Sequence, residues 1–187
     1  MSFSALILAG GRSSRMGQDK ARLTVDGETL VARQVRRARE AGAVEVWISG
    51  RAGVDYGPLD APVLLDDTPD TGPLAGIARG LAVMQTPLLL VLAVDMPRVA
   101  AAWLARGRGL SETGLIARLP TGLEPLAAWY PGAAAALLDA QLARGRRAAR
   151  GFAEATVEAG LTRVVDLDGD QVAGFKSWNE PDDLPRY

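Results

Sequence analysis

Short apolar runs that stop abruptly at polar residues constrain this chain more than any other feature. Ala5-Leu6-Ile7-Leu8 halts at Ala9-Gly10-Gly11, and Leu88–Val94, the strongest such run, leads straight into Asp95-Met96-Pro97. A continuous apolar run of this kind reads as a strand covered on both faces, the habit of parallel sheets. Val44–Ile48 and Val63–Leu65 read as two further strands, the second ending in Asp66-Asp67. Between them, residues 30–41 put Leu30, Val31, Val35 and Ala38 on one helical face, with Arg33, Arg36, Arg37 and Arg39 largely elsewhere and Gly42 placed to end the helix. Pro73 suits a first helical turn, Leu74, Ile77, Leu81 and Met84 follow at helical spacing, and Pro87 ends that segment. Strand and helix alternating over residues 5–95 predict an α/β fold with a mainly parallel sheet flanked by helices.

The second half carries weaker signals. Leu115–Arg118 and Leu126–Tyr130 read as strands around a turn at Pro120-Thr121-Gly122. Residues 133–143 and 148–159 read as helices joined by Arg144-Gly145-Arg146-Arg147, and Arg163–Leu167 as a last strand. At 187 residues, with no repeat and no linker-like stretch, one domain over 1–187 is expected.

Composition narrows the chemistry. The chain has no cysteine and no histidine. Disulfides, thiol nucleophiles, Ser-His-Asp triads and Cys/His zinc sites are therefore excluded, and any metal must be held by oxygen, which points to Mg²⁺. A net charge of −1 with 5% aromatic residues gives no footprint for nucleic acid. Met1-Ser2-Phe3-Ser4-Ala5 lacks a positive leader region, and no apolar run approaches the ~20 residues that span a bilayer, so a cytoplasmic protein without a membrane partner is expected.

Ligands of open α/β sheets bind beyond the carboxyl ends of the strands. Three polar clusters fall there: Gly10–Lys20, Asp66-Asp67 and Asp95. In the first, glycines admit an anion close to backbone N–H groups, while Arg15 and Lys20 add positive charge. It is neither a P-loop nor a dinucleotide fingerprint, and a solvated loop is the plainer alternative. Of 21 basic residues only Lys20 and Lys176 are lysine, which favours a phosphate contact for Lys20. Asp66 and Asp67 have the alternative of capping a strand end, and Asp95 that of capping a helix beginning near Pro97.

Leu8-Ala9-Gly10-Gly11-Arg12-Ser13-Ser14-Arg15-Met16-Gly17-Gln18-Asp19-Lys20 resembles the glycine-rich signature of the molybdenum cofactor guanylyltransferases, a family of MobA-like nucleotidyltransferases. Gly72-Pro73-Leu74-Ala75-Gly76, Asp95-Met96-Pro97 and Asn179-Glu180-Pro181-Asp182-Asp183-Leu184 are similar to its later motifs and come in the same order. The resemblance implies a single-domain, Rossmann-like nucleotidyltransferase fold, with a nucleotide-binding half over about 1–100 and an acceptor-binding half over about 101–187. It implies nucleotide contacts from Leu8, Ala9, Gly10, Gly11, Lys20, Asp67 and Asp95, catalytic roles for Arg15, Lys20 and Asp95, and Mg²⁺ held by Asp95. Its partners would be GTP and the molybdopterin cofactor, with transient contacts to other cofactor-biosynthesis proteins or apo-molybdoenzymes. Asn179, Arg146 and Arg147 are the candidates for binding the acceptor, a solvated helix joint being the alternative for the arginines. Trp129 and Trp178 are candidates for stacking on a pterin, against a place in the core for Trp129.

Three departures from the family pattern bear on recognition. Ser49-Gly50-Arg51 stands where relatives often have Asn, Glu124-Pro125-Leu126 where His-Pro is frequent, and Ser177-Trp178-Asn179-Glu180-Pro181 where N-x-N-T-P is common. The implied reaction suits the composition. A phosphate that attacks the α-phosphorus of a nucleoside triphosphate is already anionic, so positioning, charge neutralisation and Mg²⁺ suffice without a His, Cys or Ser base. CTP or another phosphorylated acceptor remains an alternative substrate, and a non-catalytic nucleotide-binding partner protein an alternative of another class.

Overall fold

Unbroken burial identifies the strands that organise the molecule. The computed structural model describes residues 2–10, 19–65, 72–179 and 183. In chain order it runs β1 (Ser4–Leu8), a hairpin of β2 (Thr24–Val25) and β3 (Glu28–Thr29), α1 (Leu30–Glu40), β4 (Glu45–Gly50), β5 (Val63–Leu65), α2 (Pro73–Val83) and β6 (Leu88–Ala93). Then follow α3 (Ala101–Ala105), β7 (Gly114–Leu119), β8 (Gly122–Pro131), α4 (Ala134–Ala143), α5 (Ala149–Glu158), β9 (Thr162–Asp166) and α6 (Gly169–Gly174). One seven-stranded sheet takes the order β5-β4-β1-β6-β8-β7-β9. β5, β4, β1 and β6 are parallel, while β8 lies antiparallel to β6 and to β7. The α/β class with a mostly parallel sheet expected from the strand–helix alternation is what the structure has.

Side chains alternate between two apolar layers, as the strand period requires. Phe3, Ala5, Ile7, Leu88, Leu90 and Leu92 face the layer with α1, Trp103 and Phe175. Leu6, Leu8, Leu89 and Val91 face the layer with Leu74 and Ile77 of α2, Leu138 of α4 and Phe152 of α5. Leu88, Leu89, Leu90, Val91 and Leu92 have no exposed surface, so Leu90→Ala would cost about 2–5 kcal/mol.

α1 begins where the Thr29 hydroxyl accepts from the Ala32 N–H at 3.3 Å. It ends as expected at Gly42, whose φ of +101° suits glycine after a helix. Several boundaries differ from expectation. α2 stops at Val83, because Met84 is already extended, and not at Pro87. β8 starts at Gly122, four positions before Leu126, since Gly122 pairs at once with Leu119. Pro125, which has no N–H to donate, falls in the stretch where the β7–β8 register shifts. Near Pro97 there is no helix; α3 begins at Ala101 with Ala100 at its N-cap, so Asp95 is not a helix cap. Among the described residues no helix is long and apolar enough to cross a membrane.

Candidate active site

From β1 the chain crosses to β4 on one side and later to β6 on the other, so the strand order reverses at the β1–β6 pair. Such a switch point opens a crevice at the carboxyl ends of the strands. Its floor is tightly bonded: the Leu8 carbonyl accepts from Val94 N–H at 3.2 Å, and Ala9 N–H donates to the Ser49 carbonyl at 2.8 Å. Leu8 and Ala9 are buried and Gly10 is half-buried; the Ala9 N–H is already bonded, while the Leu8 carbonyl keeps a second lone pair for a ligand.

Lys20, Asp95 and Asn179 meet at this edge. Lys20 Nζ donates to Asn179 Oδ1 at 2.7 Å and lies 3.5 Å from Asp95 Oδ2. Each member is held by local bonding. Asp19 Oδ1 accepts from Ala21 N–H at 3.1 Å and fixes the short 3₁₀ turn that carries Lys20, while Asp19 Oδ2 pairs with Arg51 at the end of β4. The Asp95 carbonyl accepts from Trp178 N–H at 2.8 Å. Asn179 N–H donates to Asp183 Oδ2 at 2.9 Å, and Asp183 Oδ1 pairs with Lys176 at 2.7 Å. The side chains of Lys20 and Asp95 are only 17% and 23% exposed. Burial pushes the Asp95 carboxyl above the usual carboxylate range, and Lys20 pulls it partly back.

Glu124 is a site residue that sequence reasoning did not single out for its own chemistry. β8 runs antiparallel to β6 with Leu92 paired to Ala127, and Glu124 lies earlier on β8, close enough to Asp95 for the two charges to act on one another. Glu124 Oε1 accepts from Leu126 N–H at 2.9 Å. Burial raises its pKa, Leu126 N–H lowers it, the Asp95 charge raises it and Arg150 lowers it. Two half-buried carboxyls thus lie within reach of one another's charge, Asp95 with Lys20 beside it and Glu124 with Arg150 near enough to ease its ionisation.

The remaining candidates are placed as follows. Gly11, Arg15, Asp66 and Asp67 lie outside the described residues, as do Glu180, Pro181, Asp182 and Leu184. Asn179 touches Lys20 directly, which sets it beside the nucleotide candidates. Arg146 and Arg147 are exposed and line a groove of about 400 Å³ with Gln141, Gly151, Glu154 and Glu158, between α4 and α5. Trp129 is fully buried with its ring edge-on to Phe3 at 4.6 Å, which assigns it to the core. Trp178 is 3% exposed under the Arg98 guanidinium at 5.3 Å, so it offers no open face for stacking. Gly50 stands where a Cβ would meet the Tyr56 ring at 2.6 Å, and the Tyr56 hydroxyl accepts from Arg51 N–H at 3.0 Å. The Ser49-Gly50-Arg51 departure therefore has a packing reason of its own.

The donors at the edge are hard oxygens: the carboxylates of Asp95 and Glu124 and the amide oxygen of Asn179. Such a set suits Mg²⁺, which takes one or two carboxylates and completes its shell with phosphate oxygens and water. Among the described residues no cluster of three or more His, Cys, Asp or Glu stands ready to hold a metal alone. Asp95 fits the group as part of a site that a phosphate ligand completes.

Comparison with known proteins fits this geometry. The profile of the MobA-like NTP transferase domain matches residues 5–159. A probable molybdenum cofactor guanylyltransferase from Opitutus terrae is 42% identical over 96% of this chain and 92% of its own length. A protein of the same description from Synechococcus elongatus is 40% identical over 90% and 91%. Among solved structures, molybdopterin-guanine dinucleotide biosynthesis protein A from Archaeoglobus fulgidus superposes with a TM-score of 0.75 at 22% identity, covering 98% of this chain and 95% of that one. The 2-C-methyl-D-erythritol 4-phosphate cytidylyltransferase of Thermus thermophilus gives 0.72 at 22% identity, covering 98% and 96%. At that identity both speak to the fold alone.

Proposed function

The chain belongs to the MobA-like NTP transferase family and is a nucleotidyltransferase, and from that premise we propose that it transfers GMP from GTP to molybdopterin-bound molybdenum, giving the guanine dinucleotide cofactor and pyrophosphate. The observation that carries this reading is the meeting of Lys20 and Asp95 at 3.5 Å on the switch-point edge, with Asn179 on the same lysine. The names of the relatives from Opitutus terrae and Synechococcus elongatus support guanine and molybdopterin as the substrates.

Each residue has a role that follows from its charge and place. Lys20 brings a compact cation to the phosphates from the end of the glycine loop. Asp95, two residues past the end of β6, would hold Mg²⁺, and Glu124, within reach of its charge, would be a second oxygen donor. When bound, Mg²⁺ neutralises phosphate charge as it develops on the departing pyrophosphate. The buried floor of Leu8, Ala9 and Ser49 excludes water beneath the nucleotide. Gly11 and Arg15, which follow Gly10 in the glycine-rich motif, are proposed to contact the triphosphate, and Asp67 is proposed near the base or ribose. The attacking phosphate oxygen is anionic, so no residue has to remove a proton. Residues 1–100 would then serve chiefly the nucleotide and residues 101–187 the acceptor. Asn179, next to Lys20, sits where the two would meet, and Arg146 and Arg147 are proposed for the acceptor's anionic end. A cytoplasmic location goes with this reading.

The test is a ligand panel. GTP, CTP, ATP and UTP, each with Mg²⁺, are compared by thermal shift, followed by pyrophosphate release with molybdopterin-bound molybdenum as acceptor. Preferential binding raises the melting temperature by mass action, and GTP is expected to give the largest rise. An equal or larger rise with CTP would assign the enzyme to cytidylyl transfer instead.

A further inference from the structure

α1 carries two polar side chains that its position in the apolar layer does not explain. Gln34 has no exposed surface, in a helix face otherwise made of Leu30, Val31, Val35 and Ala38. Burying an amide is unfavourable unless all its groups are bonded, so the bonds it makes indicate what it is for. Gln34 Nε2 donates to the carbonyls of Ala93 at 2.9 Å and Met96 at 3.1 Å. Its Oε1 accepts from Arg37 Nη1 at 3.1 Å, so both N–H groups and the oxygen have a partner and the way the amide faces is fixed. Arg37 in turn donates to the carbonyl of Pro97 at 2.9 Å and to that of Val99.

These acceptors follow one another along the end of β6 and the segment after it. Ala93, the last residue of β6, still pairs with Leu8, while Met96, Pro97 and Val99 lie past the strand, so the four bracket Asp95 and the last three have no ladder partner to hold them. A guanidinium spent on neutral oxygens in a half-buried place is costly, and burial indeed lowers the pKa of Arg37. The same helix starts against the Lys20 turn, with Leu30 N–H donating to the Leu23 carbonyl at 2.9 Å. One rigid element therefore touches both the lysine arm and the aspartate loop.

We propose that Gln34 and Arg37 are positioning residues that clamp the loop on either side of Asp95 and fix its carboxylate relative to Lys20 for the metal–triphosphate. The role rests on the function proposed above, while the clamp itself can be read without it. Neither residue touches substrate; both act through the backbone of 93–99. A displacement of about 1 Å at a reacting centre is enough to cost large factors in rate.

The test compares Gln34→Leu and Arg37→Met, which keep side-chain bulk, with the control Arg36→Met. Arg36 sits on the same helix but pairs outward with Glu28 and Glu40. Two readouts are taken on the folded protein. In amide hydrogen exchange, Met96, Val99 and Trp178 N–H are expected to exchange at least about fivefold faster in both variants (~1 kcal/mol at ~1.4 kcal/mol per decade), while β1 amides and the control stay unchanged. In GTP binding, the gain in affinity from Mg²⁺ over EDTA is expected to shrink at least about fivefold, with the EDTA affinity within about twofold of wild type. Exchange no faster than in the control overturns the clamp. Faster exchange with an undiminished Mg²⁺ gain overturns its role in positioning Asp95. A wild type with no Mg²⁺ gain at all defeats the proposed function, and the exchange data then decide the clamp by themselves.

Discussion

Asp95→Asn separates a metal-holding carboxylate from a merely structural one, because the two make opposite demands on charge. The carboxylate lies 3.5 Å from Lys20 Nζ, an attraction of about 5 kcal/mol gross at an effective dielectric of ~20. Desolvation is nevertheless the largest influence on it, since burial raises its pKa despite the lysine. In the ligand-free protein the ionised form is thus a net cost to folding. The sign follows from linkage. At acid pH both folded and unfolded forms are protonated and the cost vanishes; as pH rises from the unfolded carboxylate range through the raised folded value, wild type loses stability that the neutral variant keeps. Asp95→Asn should therefore melt at or above the wild-type temperature at pH 7, with the difference shrinking toward pH 3.

Binding and turnover should move the other way. Without metal the carboxylate repels a triphosphate, so in EDTA the variant should bind GTP as well as wild type or better. With Mg²⁺ it should bind more weakly and turn over at least ~100-fold more slowly, a barrier increase of about 2.7 kcal/mol. Calorimetry with and without Mg²⁺, differential scanning fluorimetry from pH 3 to 8 and pyrophosphate release give the three measurements. Turnover above about a tenth of wild type, a change under ~1.4 kcal/mol, would refute the metal role. So would affinities that fall equally in EDTA and Mg²⁺.

Lys20→Met should weaken Mg²⁺–GTP binding by about 1.5–3 kcal/mol, the range for a charged hydrogen bond, with little change in melting temperature; calorimetry showing affinity within twofold of wild type would make Lys20 a bystander. Gly76→Ala would set a Cβ 2.1 Å from Ser49 Oγ and should destabilise by about 1–3 kcal/mol in denaturant unfolding, with Ser49→Gly restoring much of the loss in the double variant. Arg51→Met should cost under ~1 kcal/mol, less still at high salt, because its partner Asp19 is met by a side chain 42% exposed.

The strands that build the site were legible because each is a continuous apolar run ended by a polar residue. Val63–Leu65 has the expected bounds, and Leu88–Val94 ends one residue early, at Ala93. Lys20 and Asp95 could be singled out for the same reason, since position at a strand's carboxyl end is itself a functional signal. Asn179 was legible as a motif residue but not as a neighbour of Lys20, because a contact across 159 residues leaves no local pattern. Glu124 was hidden by the adjacent Pro125, which interrupts a strand pattern that the tight turn at Gly122 in fact begins. Gln34 left a usable trace: it falls four residues from both Leu30 and Ala38, a polar side chain in an apolar stripe. The Asp168-x-x-Gln171 box that starts α6 is another such trace, with both reciprocal bonds formed.

The convergence of distant segments accounts for how a chain without His or Cys can run a group transfer. In the proposed reaction no side chain has to change protonation state, so its catalytic power would come from how firmly charges are held. Asp95 is fixed by sheet pairing up to Ala93, by Gln34 and Arg37 on the carbonyls around it, and by Trp178 on its own carbonyl. Lys20 is fixed through Asp19 and Asn179. Each restraint comes from a different stretch of sequence, and each ends on backbone or on a side chain itself bonded elsewhere. Electrostatic stabilisation by such preorganised groups needs no rearrangement when charge develops on the departing pyrophosphate, which is the condition under which fixed charges accelerate a reaction most.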